Sequence, residues 1–191
     1  MATVPSGPLR RTLRTVPLPR YGGGSPSPSQ LSRHLRTGAD PDLRRRRGIV
    51  GLSLLGAGIG QVVGAYQTGI LRHLPDPPVG PFDSDRVDAS DYAYRRASSP
   101  DGLVMVLTYA VTAWLAGAGG QDRARHRPVL PLLMTAEVAT DVVTDLALAS
   151  EEWRENEALC ARCQAATAVS VASLARALPE ARRAWRQVRS G

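Results

Sequence analysis

GIVGLSLLGAGIGQVVGAYQTGIL, residues 48–71, runs for 24 residues without a charged side chain and follows directly on Arg44-Arg45-Arg46-Arg47. An uncharged run of about 18 residues or more is long enough to cross a bilayer as a helix. Gly56, Gly60 and Gly64 recur every four residues, which lets a second helix approach closely in lipid. The string GAGIG resembles the start of a dinucleotide loop, but Gln61 stands where the third glycine of G-x-G-x-x-G belongs. The segment is therefore read as a spanning helix.

Three further apolar segments follow. Leu103–Gly120 has 18 residues without a charge and is introduced by Ser99-Pro100-Asp101, a capping residue, a proline and a first-turn acid. Val129–Ser150 is apolar but carries Glu137, Asp141 and Asp145, and Ala158–Leu178 carries Arg162 and Arg176. The fold expected from this pattern is all-α, a four-helix transmembrane bundle with a long outer loop between helices 1 and 2. Charge tests it. With four crossings, residues 1–47, 121–127 and 175–191 share one side and hold 18 arginines, whereas loops 72–101 and 151–157 hold 5. The excess puts both termini in the cytoplasm. The second outer loop is acidic, with Glu151, Glu152, Glu155 and Glu157.

The third segment argues the other way. Each acid at a bilayer centre costs roughly 2.5–3.5 kcal/mol on insertion scales. Glu137, Asp141 and Asp145 form one stripe with Thr140 and Thr144. That stripe faces either water, in a soluble four-helix protein, or the interior of a membrane bundle. For the second case an Asp145–Arg162 pair is expected, since a short loop would place the two at similar depth.

The flanks read differently from the core. Residues 1–47, rich in Pro, Ser, Gly and Arg, show no apolar periodicity and are read as a disordered basic arm. Arg10-Arg11 is followed by no apolar stretch of the kind a secretory signal needs. Residues 48–179 make the membrane domain and 180–191 a basic cytoplasmic tail. The chain has no lysine, and its 24 arginines give a net charge of +7. They lie in terminal blocks rather than along a helix face with interleaved aromatics, so nucleic acid is not an expected partner. Membrane lipid is. Trp153 and Trp185, near segment ends, suit interface anchors.

The only two cysteines are Cys160 and Cys163, in LCARCQ at the head of the fourth segment. Residues i and i+3 share a helix face, and the positive end of the helix dipole favours a reactive thiolate. Three readings compete: a structural zinc site, two inert core thiols and a redox pair. Zinc needs about four ligands, and His34, His73 and His126 all lie far from Cys160 in sequence, so no metal is expected. Arg162 between the thiols and an oxidising outer compartment favour the redox pair. No Ser/His/Asp grouping or phosphate loop is present.

Four apolar segments, a long outer loop after the first and LCARCQ opening the fourth resemble the vitamin K epoxide reductase family, in particular its short bacterial members. GIVGLSLLGAGIGQVVGAYQTGILRHLPDPP and FDSDRVDASDYAY carry the likeness too, which covers roughly Gly48 to Pro179. The resemblance implies a four-helix membrane bundle around a quinone, in a bacterial inner membrane, with the outer loop over the site. It implies electron transfer from protein dithiols of a thioredoxin-like partner to a menaquinone- or ubiquinone-like acceptor. Cys163 would be the thiol beside the quinone and Cys160 the one that exchanges with incoming thiols. The family normally carries a second cysteine pair in the outer loop, and here that loop has none. A partner's thiols would then have to reach Cys160 directly. Ser84 and Ser90 are candidates for the family's loop hydroxyl. Tyr92 and Tyr94 are placed on a short surface helix over the site, and Tyr66-Gln67 either beside the quinone or in the core. The competing functions are a non-catalytic membrane bundle acting as a partner-binding subunit and a soluble helical protein with a structural CxxC.

Overall fold

The computed structural model describes residues 26–190, and every regular element among them is helical. The α-helices are α1 (Pro28–Thr37), α2 (Pro41–Gln67), α3 (Ser84–Asp88), α4 (Asp101–Gly117), α5 (Arg123–His126), α6 (Val129–Asn156) and α7 (Ala161–Ser190). Two 3-10 turns, Asp91–Tyr94 and Arg96–Ser98, complete the segment between α3 and α4. The four long helices are α2, α4, α6 and α7. α2 packs against α4 and α7; α6 packs against α7 and only lightly against α4.

The glycine stripe explains the closest of these contacts. A Cβ on Gly60 would come within 2.9 Å of Gly102 O, and one on Gly56 within 2.3 Å of the Tyr109 ring. Only a bare backbone fits there. The inward faces of the helices are small and partly polar, with Ser53, Thr112, Ala166, Ser170 and Ser173 buried. Large apolar residues point outward: Leu54 is 66 % exposed, Leu107 65 % and Val143 68 %. α2 is the one described helix long and apolar enough to cross a membrane by length and composition, and α4 is apolar but has only 17 residues.

The arm differs from its sequence reading. Residues 1–25 lie outside the described residues, but α1 and the first two turns of α2 occupy most of residues 28–47. Ser27 and Gln30 form a capping box around Pro28, and Asp40 caps α2 ahead of Pro41. Arg47 then fastens α1, donating to Leu35 O at 2.6 Å and Gly38 O at 2.7 Å. At the other end, α7 runs unbroken through Pro179 to Ser190, so no structural boundary separates the tail from the bundle.

Part of the basic block is internal structure. Arg46 is buried and donates to the carbonyls of Ala116, Ala118, Gly119 and Gly120, the open C-terminus of α4. Arg123 donates to Leu115 O and Ala118 O and makes a two-pronged pair with buried Glu180, at 2.8 and 2.9 Å. Two guanidinium groups thus satisfy carbonyls carrying the negative end of the α4 dipole.

Candidate redox site

Cys160 is the residue before α7 and Cys163 lies in its first turn. The Cys160 sulfur accepts a hydrogen bond from the Cys163 backbone N–H at 3.2 Å, so it caps the helix as a serine oxygen would. Ser84 Oγ accepts from Ala161 N at 3.2 Å, and Glu152 accepts from Cys160 N at 3.3 Å. These bonds use the donors that a helix start leaves open. Both cysteines are free; Cys160 is buried and Cys163 half-buried.

The loop between α2 and α4 makes the lid over Cys160. A short bridge pairs Phe82 with Leu159, through Asp83 N to Leu159 O at 3.1 Å and Leu159 N to Pro81 O at 2.8 Å. Asp76 takes both the N–H and the hydroxyl of Ser84, each at 2.6 Å. Val87, Tyr92, Ala93 and Ala158 pack around Cys160. Direct access of a partner's thiol to Cys160 is therefore closed in this conformation, contrary to the simplest reading of the sequence.

Cys163 meets a cavity of about 110 Å³ lined by residues of the four long helices and the loop. Val63, Val104, Met105 and Leu148 supply its apolar wall, and Tyr109, Thr167 and Ser170 its hydroxyls. Five carboxylates also line it: Asp88, Asp101, Asp141, Asp145 and Glu152. Arg96 is the one arginine in the lining; it pairs with Asp101 at 2.7 Å and stacks 5.4 Å from the centre of the Tyr92 ring. Cys163 Sγ donates to Asp88 Oδ1 at 3.8 Å. Burial pushes the Asp88 carboxyl up to about 6, against the opposing pull of hydrogen bonds from Cys160 and Cys163.

The acidic stripe of α6 is half-buried and faces this interior. Thr112 Oγ1 donates to both Glu137 oxygens, at 2.8 and 2.9 Å, and Asp141 and Asp145 reach the cavity above it. The expected Asp145–Arg162 pair does not form. α6 continues past Ser150 to Asn156, which leaves Asp145 eleven residues below the helix end while Arg162 is the second residue of α7. At 1.5 Å per residue the two differ in depth by more than 10 Å. Asp145 instead lies beside Ser170, and Arg162 turns to the loop, donating to Pro75 O at 2.9 Å and lying 4.0 Å from Asp76.

Other assignments move as well. Tyr92 is buried against Cys160, with its hydroxyl on Leu148 O at 3.0 Å, rather than on the surface. Tyr66 and Gln67 do not line the cavity: Tyr66 donates to Asp85 O and Gln67 accepts from Gly102 N at 2.9 Å. Ser84 lies at the cysteine helix, whereas Ser90 turns back on Val87 O. Trp153 and Trp185 are exposed. Among the described residues, donor atoms of Asp88, Cys160 and Cys163 lie within 4.8 Å of one another. A count of histidines could not find Asp88, yet three donors remain one short of a closed zinc set. Nothing in the local sequence distinguishes Asp88 from its neighbours Asp83, Asp85 and Asp91; only the fold selects it.

A search of curated proteins and of solved structures found no match to this chain. The model of the vitamin K epoxide reductase family matches residues 48–178, from Gly48, directly after the four arginines of α2, to Leu178, directly before Pro179 in α7. That span holds the bundle, the loop and both cysteines, and the chain belongs to the vitamin K epoxide reductase family.

Proposed function

We propose that this protein is a membrane thiol–quinone oxidoreductase in which Cys160 and Cys163 carry electrons from protein dithiols to a quinone. The observation that carries the reading is the placement of Cys163 on the wall of a cavity lined by all four long helices, beside a second free cysteine. Membership of a membrane-integral family of quinone oxidoreductases supports it. In one cycle the Cys160–Cys163 disulfide takes two electrons from a partner dithiol, which becomes a disulfide. The reduced pair then passes two electrons and two protons to the quinone, giving the quinol and restoring the disulfide.

The partner in this reading is a thioredoxin-like protein and the acceptor a menaquinone- or ubiquinone-like molecule. All four long helices cross a bacterial inner membrane with both termini in the cytoplasm, a topology supported by the outward-facing Leu54, Leu107 and Val143 and by the arginine asymmetry. The buried state of Cys160 favours a second reading, a bundle that keeps the motif in its core and serves as a partner-binding subunit. Proteoliposomes distinguish the two. Reduced thioredoxin-like protein added outside should be oxidised with formation of quinol in the membrane, and a Cys160→Ala variant should show neither. Equal rates in wild type and variant would contradict the enzyme reading.

A further inference from the structure

We infer that Asp88 is the proton acceptor for Cys163 when the dithiol reduces the quinone, and that it passes this proton to a quinone oxygen in the cavity. The inference rests on the thiol–quinone reading and adds a catalytic residue to it.

Asp88 is only 3 % exposed, yet it carries one unsatisfied oxygen. Its Oδ1 receives the Cys163 thiol at 3.8 Å, and its Oδ2 has no hydrogen-bond partner. The residue lines the cavity alongside Cys163. A buried carboxylate oxygen without a partner is costly and calls for an occupant or a task. One oxygen on the reacting thiol and another without a partner make a carboxylate that can take a proton on one side and release it on the other. The donor atoms of Asp88, Cys160 and Cys163 all lie within 4.8 Å, so no other side chain need intervene.

The step balances as follows. The Cys163 S–H bond breaks and its proton goes to Asp88, while the two thiols lose two electrons to the quinone ring and join as a disulfide. Asp88 gives its proton to one quinone oxygen; the proton of Cys160 ends on the other. The product is the quinol, and Asp88 returns to its starting charge. The groups facing Asp88 are Cys163 and Arg162 from α7, Cys160 just ahead of it, Asp101 from α4, Glu152 from α6 and Tyr66 from α2. With the Asp88 carboxyl titrating at about 6, its accepting form dominates at neutral pH and remains basic enough to act.

The test uses the full chain in lipid nanodiscs, reduced, mixed with menadione, then quenched with a thiol mass tag at intervals from pH 5 to 8. Wild type should oxidise faster as the pH rises through about 6, with a solvent deuterium effect of about 2. Asp88→Asn should slow the step roughly 100-fold and lose that limb, in the range removal of a general base produces. Asp88→Glu should restore part of the rate, and formate should rescue Asp88→Ala in proportion to its concentration. Every variant should still close the disulfide in a glutathione redox buffer. An Asp88→Asn variant oxidised by menadione at the wild-type rate would overturn the role of Asp88 alone. A solvent effect of unity in wild type would do the same even if the variants fail to fold. Wild type inert to menadione would contradict the thiol–quinone reading, and the inference would fall with it.

Discussion

Ser84 Oγ accepts the Ala161 N–H at 3.2 Å, which ties the loop between α2 and α4 to the first free donor of the cysteine helix. Asp76 holds Ser84 in turn through two bonds of 2.6 Å, and Arg162 reaches back to Pro75 O. The loop that buries Cys160 is thus latched on the helix whose thiol it covers.

Loosening the latch should open the thiol. Asp76→Ala removes the acceptor for the Ser84 hydroxyl and N–H, at a cost on the order of 1–3 kcal/mol to the closed loop. The open population, and with it the rate at which Cys160 exchanges with dithiothreitol, should rise about tenfold or more. Quenched alkylation followed by mass spectrometry measures this, and an unchanged rate would mean that the loop does not limit access.

The arginine lattice at the C-terminal end of α4 predicts a different kind of sensitivity. Glu180→Ala leaves Arg123 buried beside Arg46 without its carboxylate, and breaking such a pair costs about 3–5 kcal/mol. Thermal unfolding in detergent should show a large loss for Glu180→Ala. Arg123→Met combined with Glu180→Leu should recover much of it. Full additivity of the two changes would rule out the pair.

A pH dependence follows from Asp88. Its folded-state carboxyl titrates at about 6 against an ordinary value of 3.8, because burial disfavours the charge. Between about pH 4 and 6 the folded protein binds more protons than the unfolded chain, so stability falls as the pH rises through that window. The loss is complete above about pH 6 and amounts to on the order of 2–3 kcal/mol. Asp88→Asn should remove its share of this slope and leave that of Asp101, whose carboxyl burial likewise raises to about 6; a variant retaining the full slope would assign it to another group.

The α2–α4 contact should tolerate almost no added volume. A Cβ on Gly60 meets the backbone oxygen of Gly102 at 2.9 Å, and backbone cannot turn aside as a flexible side chain would. Gly60→Val should destabilise the bundle by roughly 1–3 kcal/mol, in the range of other overpacked sites. Gly58→Ala, where nothing lies within 4 Å, should be near neutral or better in the same melts.

Much of the helical plan was legible because apolar runs and caps are local signals. Residues 48–71 announced α2 through the absence of charge, and Gly56, Gly60 and Gly64 announced its close neighbour. The capping box at Ser27 and the Asp40-Pro41 start are equally local, but Pro/Ser/Arg composition hides them, and composition alone puts α1 and the beginning of α2 in a disordered arm. The Asp145–Arg162 pairing failed because apolarity ended at Ser150 while the helix did not; a charged final turn such as Glu151–Asn156 extends a helix without extending its apolar run. Asp88 and Asp76 were invisible for a deeper reason. Asp88 meets Cys163, 75 positions further on, and Asp76 acts through Ser84, whose own bond to Ala161 spans 77 positions; no spacing rule encodes either.

The redox state of Cys160 and Cys163 in isolated membranes tests the central claim most directly. The pair is reduced, a soluble quinone is added, and the remaining thiols are tagged by mass under denaturing conditions and read on a gel. Rapid loss of both tags with quinone, and none without it, is the predicted result. Two thiols that stay fully taggable in the presence of quinone would contradict the account and leave a bundle that carries the motif without its chemistry.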